Sequence, residues 1–282
     1  MITCKSKREL EKMRRSGRVT ARALDKLRAE ARAGMTTADI DRLAEALIRD
    51  EGGVPAFLGY HGFTGSVCTS VNDEIVHGIP GERRLNDGDL LKIDIGSCVD
   101  GWYSDMACTL PIGHISAEAQ RLIDVTAEAL VRGIEQVRPG AHVSNVGNAV
   151  QSYVESEGFT VVRALVGHGI GTHLHEDPPV PNYGRAGNGP ILKPGMVLAI
   201  EPMVNAGTWK VRTKPDKWTV VTADGRLSAH FEHTVAVSQE GFDVLTLSDT
   251  QPLHQAFTRL ALVKKGEELG ATETPGRIQA FG

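Results

Sequence analysis

The sequence predicts an α+β fold made by duplication: a curved antiparallel sheet covered by two helix pairs, related by a pseudo-two-fold axis. Three observations predict it. A pattern of helix, helix and several strands runs through the first half of the chain and starts again near residue 114. Glycines bracket the second helix of each pair at one interval of 18 residues, Gly34 to Gly52 and Gly140 to Gly158. "GDLLKID" (Gly88 to Asp94) matches "GMVLAIE" (Gly195 to Glu201) at an offset of 107, and "HGI" occurs at His77 and again at His168. Neither copy can bury its sheet alone, so the two pack as one unit.

The elements follow in order. Apolar residues at helical spacing predict a long helix over about 6–31, ended by Gly34. A second helix over about 38–51 is capped by Thr36 or Thr37 and closed by Gly52-Gly53. Strands are read in "SVCTSV", "LLKIDIG" and "YSDMACTLPI". Ser116 then caps a helix to about Val137, Pro139-Gly140 breaks it, and a helix from about Ser144 to Glu157 stops at Gly158. Strands return in "TVVRALVG", "MVLAIEPMV", "WTVVTADG" and "SAHFEHTVAVS". The expected organisation is one domain over residues 1–263, with halves of about 5–113 and 114–250. The tail 264–282, "KKGEELGATETPGRIQAFG", has little to bury beyond Ile278 and Phe281 and reads as disordered or draped over the surface.

Bulk properties exclude several classes. Hydrophobic residues make up 41% and charged residues 23% of the 282, as in a globular protein of the cytoplasm. No apolar run reaches the length of a membrane span, and "MITCKSKREL" carries charge too early for a secretory signal. The four cysteines (Cys4, Cys68, Cys98, Cys108) form no C-x-x-C pair and read as reduced thiols. The net charge of −4 argues against a general nucleic-acid binder, yet residues 1–32 hold eleven Lys/Arg against four acids. That basic first helix is either a solvated face or a patch for an anionic surface such as RNA.

The chemistry lies in carboxylates set among isoleucines. Asp94 stands between Ile93 and Ile95, and Asp105 enters the next strand across an Asp100-Gly101 turn. A four-residue loop at Cys98–Gly101 would put the two acids directly opposite, with Cβ atoms about 4.5–5.5 Å apart. Such a pair must share a proton or bind a cation. The second half contributes Glu201 in "LAIEPMV" and Glu232 in "HFEHTVAV", and the glycine-rich "VGHGIGTHLHEDPP" supplies His168. Four carboxylates match the charge of two divalent cations. With one imidazole and no thiolate, the set favours Mn²⁺, Fe²⁺ or Co²⁺ over a structural Zn²⁺ site. A carboxylate-bridged metal pair is a hydrolytic device, because it activates a bridging water and polarises a carbonyl.

"KIDIG…DGWYSDMACT", "GHGIGTHLHEDP", "IEPM" and "FEHT" together resemble the type I methionine aminopeptidases of the duplicated "pita-bread" fold, over roughly residues 5–250. The resemblance implies an enzyme that hydrolytically removes the N-terminal methionine of nascent chains when the second residue is small. It implies two bound divalent ions (Mn²⁺, Fe²⁺ or Co²⁺, with Zn²⁺ a further option) and a dinuclear metal-bound hydroxide that attacks the scissile carbonyl. Asp94 would chelate one ion, Asp105 and Glu232 would bridge both, and His168 and Glu201 would complete the coordination of the second ion. Glu201 would also be the general base. His175 would steady the tetrahedral intermediate, and His77 would contact the scissile amide. The methionine pocket would draw on Tyr60, Phe63, Cys68 and Trp218, with Phe57 and Leu174 as lesser members. Leu174 stands where an aromatic is expected. A monomer, no membrane, ribosome docking through the basic helix and a protein that keeps its own Met1 before Ile2 complete the expectation.

Rival readings meet obstacles. An H-x-D…H iron triad from His175, Asp177 and His230 or His233 needs a jelly-roll and leaves Asp94 and Glu201 unexplained. A binding module that has lost its chemistry would be expected to lack some of the five ligands. Xaa-Pro peptidases share those ligands but usually carry a sizeable N-terminal domain, for which Asp94 comes too early. Type II enzymes insert helices between the two glutamates, and Glu201 to Glu232 is only 31 residues.

Overall fold

Both helices of the first pair begin at reciprocal side-chain caps. Ser6 accepts from the Glu9 amide while the Glu9 carboxylate accepts from the Ser6 amide, starting α1 (Lys7–Glu30). Thr36 and Asp39 repeat this at α2 (Thr37–Asp50), so Thr36 rather than Thr37 is the cap. The structure, a computed structural model that describes residues 1–247, continues through five strands. These are β1 (Val54–Pro55), β2 (Val67–Val71), β3 (Glu74–Val76), β4 (Leu90–Val99) and β5 (Trp102–Pro111). The pattern then restarts with α3 (Ala117–Ile134), capped by Ser116, and α4 (Ser144–Ser156). The strands of the second half are β6 (Thr160–Val161), β7 (Gly167–Gly169), β8 (Glu176–Val180), β9 (Val197–Ile200), β10 (Met203–Asn205), β11 (Val211–Thr213), β12 (Val220–Thr222), β13 (Ser228–His230), β14 (Glu232–Val237) and β15 (Phe242–Val244). The end of the second half beyond residue 247 and the tail 264–282 lie outside the described residues.

An antiparallel sheet in the order β1-β4-β5-β14-β9-β7-β8 crosses both halves, with β2 also on β4 and β15 on β14. The halves meet at β5 and β14 through Ala107↔Glu232 and Met106↔His233. A smaller sheet, β13-β10-β6, lies beside it. Alternate strand residues point to opposite faces. On the outer face Ile93, Ile95, Cys108 and Leu110 join Val19, Leu24 and Leu27 of α1 in one core, each aliphatic side chain contributing about 1.5–3 kcal/mol. Within this apolar contact Ser16 and Thr20 of α1 exchange hydrogen bonds with Ser97 and Ser104, a cluster of four fully buried hydroxyls.

Three expectations are corrected. The β4–β5 hairpin has a two-residue turn, since Asp100 and Gly101 both take left-handed conformations (φ 50° and 79°) and the ladder continues to Val99↔Trp102. Asp94 therefore faces Ala107 and Asp105 faces Gly96, so the two acids are diagonal neighbours rather than direct opposites. The shift is two residues, which keeps both on one face. "MVLAIEPMV" and "SAHFEHTVAVS" are each two strands, broken at Glu201-Pro202 and at Phe231, where the chain passes between the large and small sheets. "TVVRALVG" is strand only at its two ends.

Candidate metal centre

The inner face of the large sheet collects the acids by register alone. Cys68 pairs with Asp94, Asp94 with Ala107, and Ala107 with Glu232, so one row crosses four strands. Asp105 lies two residues along β5 from Ala107 on the same face. His168 pairs with Ala199, two residues before Glu201, which follows the end of β9. Small Ala107 at the centre of the row leaves the carboxylates open to a cavity of about 120 Å³. All five predicted ligands line it.

Local contacts hold the donors. Thr234 Oγ1 accepts from the Asp105 amide (2.9 Å) and donates to its carbonyl (2.8 Å), and Asp105 Oδ1 accepts from the Met106 amide. Asn182 Nδ2 donates to the Glu201 carbonyl at 3.0 Å. His168 Nδ1 lies 2.9 Å from the Gly169 carbonyl, and its Nε2 stands 3.7 Å from Glu201 and 4.0 Å from Asp105. Glycines flank His168 because a Cβ at 167 or 169 would strike the Ala199 or Asp177 carbonyl at 2.3 or 2.1 Å.

The electrostatics call for protons or a cation among the acids. Burial raises the carboxyl of Asp94 to about 7. Burial, reinforced by the neighbouring carboxylates, holds Asp105, Glu201 and Glu232 well above the usual range. Among the described residues no lysine or arginine nitrogen comes within 4.0 Å of any of the four. Lys92, buried on the same face, instead donates to the carbonyls of Asn72 (2.7 Å) and Ser228 (3.1 Å). Burial pushes His168 down to about 3, leaving it neutral and able to ligate. Asp94 Oδ1, Glu232 Oε1 and both ring nitrogens of His230 are buried with no hydrogen-bond partner. Orphaned oxygen and imidazole donors around a buried acid cluster fit hard-to-borderline divalent ions. Donor atoms of Asp105, His168 and Glu232, and of Glu201, His230 and Glu232, form two groups, each mutually within 4.8 Å and sharing Glu232.

The predicted pocket residues line the same cavity: Phe57, Tyr60, Phe63, Cys68, Leu174 and Trp218, and so do His77 and His175. Phe63 meets Trp218 edge-on at 5.1 Å, and His77 lies 6.3 Å from Trp218. Tyr60 Oη sits 2.7 Å from His175 Nδ1, and the His175 ring lies 4.2 Å from that of His168. His77 is held in a left-handed conformation (φ 59°) beside Gly78, where a Cβ would strike the Thr69 carbonyl. Burial lowers His77 to about 4 and also lowers His175, so both rings are neutral at pH 7. The loop before His175 is tied to the N-terminal segment by a nearly buried Lys5–Glu176 ion pair of 2.7 Å. Burial and the charge of Asp94 keep Cys68 a thiol, unsuited to nucleophilic work.

The iron-triad reading fails on this geometry. Asp177 is exposed and accepts from the Met1 ammonium, while His233 points to the helix side and lies 2.9 Å from Thr246 Oγ1. Sequence reasoning offered His230 only as an alternative member of that triad or as a group behind the ligands, and passed over Thr234. "HFEHT" held a signal for both, but their directions depend on the strand break at Phe231.

Residues 11–239 match the profile of metallopeptidase family M24. The chain belongs to that family. Among M24 proteins it is 52% identical to methionine aminopeptidase 1 of Bacillus subtilis, over 87% of this chain and 99% of the relative. It is 49% identical to methionine aminopeptidase of Clostridium perfringens, over 88% and 99%. The crystal structure of methionine aminopeptidase from Rickettsia prowazekii superimposes with a TM-score of 0.86 at 42% identity, covering 88% of this chain and all (100%) of that one. Prolidase from Pyrococcus furiosus, at 22% identity and a TM-score of 0.71, shares the fold over 87% of this chain and 66% of its own. Within M24 the chain thus groups with methionine aminopeptidases, and its fold is the pita-bread fold that the sequence predicts.

Proposed function

We propose that the protein is a metal-dependent aminopeptidase that hydrolyses the bond after an N-terminal methionine when the next residue is small. The observation that carries this reading is the cluster of four carboxylates, three buried and Glu201 half-buried, with His168 around one cavity, and with no lysine or arginine counter-ion among the described residues. Asp94, Asp105, His168, Glu201 and Glu232 would hold two divalent ions, Mn²⁺, Fe²⁺ or Co²⁺ with Zn²⁺ a further option, Asp105 and Glu232 being the acids expected to serve both. When bound, the ions supply an activated water and polarise the scissile carbonyl.

The chain's own residues do the rest. The methionine side chain enters between Phe63, Trp218, Tyr60 and Cys68, where thiol and ring edges suit a polarisable thioether. Glu201, in the cavity wall, would accept a proton from the attacking water and deliver it to the leaving amine. His175, oriented by Tyr60, donates to the developing oxyanion, and His77 contacts the scissile amide.

This reading places the enzyme in the cytoplasm as a monomer acting on emerging chains; among the described residues no helix is long and apolar enough to cross a membrane. Ribosome docking falls to the exposed basic residues of α1. Several of these are engaged: Arg15 pairs with Asp100 at 2.8 Å and Arg22 with Glu51 at 3.0 Å. Charge reversal at Lys7, Arg8 and Lys12 should therefore lower ribosome co-sedimentation, and unchanged co-sedimentation would remove that part of the reading.

The deciding experiment is hydrolysis of Met-Ala-Ser and Ala-Pro-Ser by metal-stripped protein titrated with Mn²⁺, Fe²⁺ or Co²⁺, beside Asp94→Ala. Metal-dependent release of methionine alone, lost in the variant, is the expected result. Cleavage of Ala-Pro-Ser instead would move the protein to Xaa-Pro chemistry on the same fold.

A further inference from the structure

His230 is buried to 1% exposure beside the acids, and neither Nδ1 nor Nε2 has a hydrogen-bond partner. Leaving polar nitrogens unpaired in a core forfeits the hydrogen bonds that water would give them. The ring is not there by looseness of the chain. Thr109 Oγ1 accepts from the His230 amide at 2.8 Å and donates to its carbonyl at 2.9 Å. Strand β13 pairs His230 with Met203, just past the Glu201-Pro202 break.

The spacing around Nε2 points to a shared ion rather than a hydrogen bond. Nε2 stands 3.9 Å from Glu201 Oε2 and 4.0 Å from Glu232 Oε2, beyond hydrogen-bond range. Two donors that each bind one ion at about 2.0–2.2 Å lie no more than about 4.4 Å apart, so both separations are compatible with a common ion. They also match those of His168 to its own carboxylates, 3.7 and 4.0 Å. Donor atoms of Glu201, His230 and Glu232 all lie within 4.8 Å of one another.

We propose that His230 is a sixth protein ligand, bringing a second imidazole to the metal centre on the side of Glu201 and Glu232. The proposal rests on the reading that these carboxylates hold divalent ions; it does not depend on which peptide is cleaved. A second neutral nitrogen donor shifts the centre's preference from Mn²⁺ towards Co²⁺ and Fe²⁺, since imidazole suits the later metals and carboxylate the earlier.

The test is proton NMR of the full-length protein loaded with Co²⁺, where each bound imidazole gives one hyperfine-shifted N–H signal that vanishes in D₂O. Two such signals are expected in the wild type, and one in either His230→Gln or His168→Gln. Co²⁺ affinity should fall at least tenfold in His230→Gln, a change that keeps a hydrogen-bond donor of similar reach. A single signal in the wild type that disappears in His168→Gln would overturn the proposal and make His230 a positioning group, and so would unchanged Co²⁺ affinity in His230→Gln. The wild-type count decides the matter even where a variant fails to fold. Two signals without methionine release would keep the ligand and sink the peptidase reading, whereas no Co²⁺ uptake would sink both.

Discussion

The two halves bring acids to the same cavity by different means. In the first, β4 and β5 are unbroken ten-residue strands joined by a two-residue turn, and the short side chains of Asp94 and Asp105 hang from a rigid ladder. In the second, the equivalent strands are interrupted, and Glu201 and Glu232 stand at the breaks. A broken strand cannot present a side chain as rigidly, and the longer glutamates make up the reach. Duplication therefore yields one stiff and one adaptable side. The acid proposed to move protons, Glu201, lies on the adaptable one.

Predictions that break this contrast begin with the ligands themselves. Asp105→Ala removes an acid proposed to bridge the ions from the stiff side and should lower kcat/KM by about a thousandfold, or about 4 kcal/mol, with bound metal lost in parallel by elemental analysis. Next comes pH. Asp94 at about 7, with the other acids also raised, must release protons to accept an ion, whereas His168 at about 3 offers no competing proton. Apparent metal affinity should therefore fall about tenfold per pH unit and per proton displaced below pH 7. Calorimetry in buffers of different ionisation enthalpy would detect the released protons, and a flat profile would contradict the buried-acid picture. The sign reverses for metal-free stability. The folded chain keeps protons that the unfolded chain releases, so stability drops as pH rises from ordinary carboxylate values through about 7.

Smaller effects probe the ladder. Gly101→Ala forces a Cβ into a left-handed turn position and should cost about 1 kcal/mol, read as a lower Tm, because β4–β5 register depends on that turn. Ser16→Ala leaves Ser97 and Ser104 one partner short and should cost about 0.5–1.5 kcal/mol in urea unfolding, without changing kcat/KM. An equal loss of activity would show that α1 docking tunes the inner face as well.

Much of the centre could be read from the sequence because it violates a rule. Acids between isoleucines are too costly to be accidental, and four together call for cations. The helices were readable for a different reason: Ser6, Thr36 and Ser116 are local caps that need no tertiary context. Pro202 carried a local signal, since proline cannot donate to a ladder, but that the chain changes sheets there, and the break at Phe231, were hidden, because nothing local tells a strand that it must leave one sheet for another. The Asp100-Gly101 turn could be seen, but its two-residue length follows from both residues being left-handed, which only the ladder around it reveals. His230 was unreadable for the same reason as the breaks, since its ring turns towards the acids only after the strand does.

The seam at Ala107↔Glu232 and Met106↔His233 has a consequence for how the chain could be divided. A cut in the connection between β5 and α3, residues 112–116, would put Asp94 and Asp105 on one fragment and His168, Glu201 and Glu232 on the other. Neither piece owns a complete centre. Complementation of the two fragments would be rewarded by metal capture, and the ion would act as the clasp that reports their reunion.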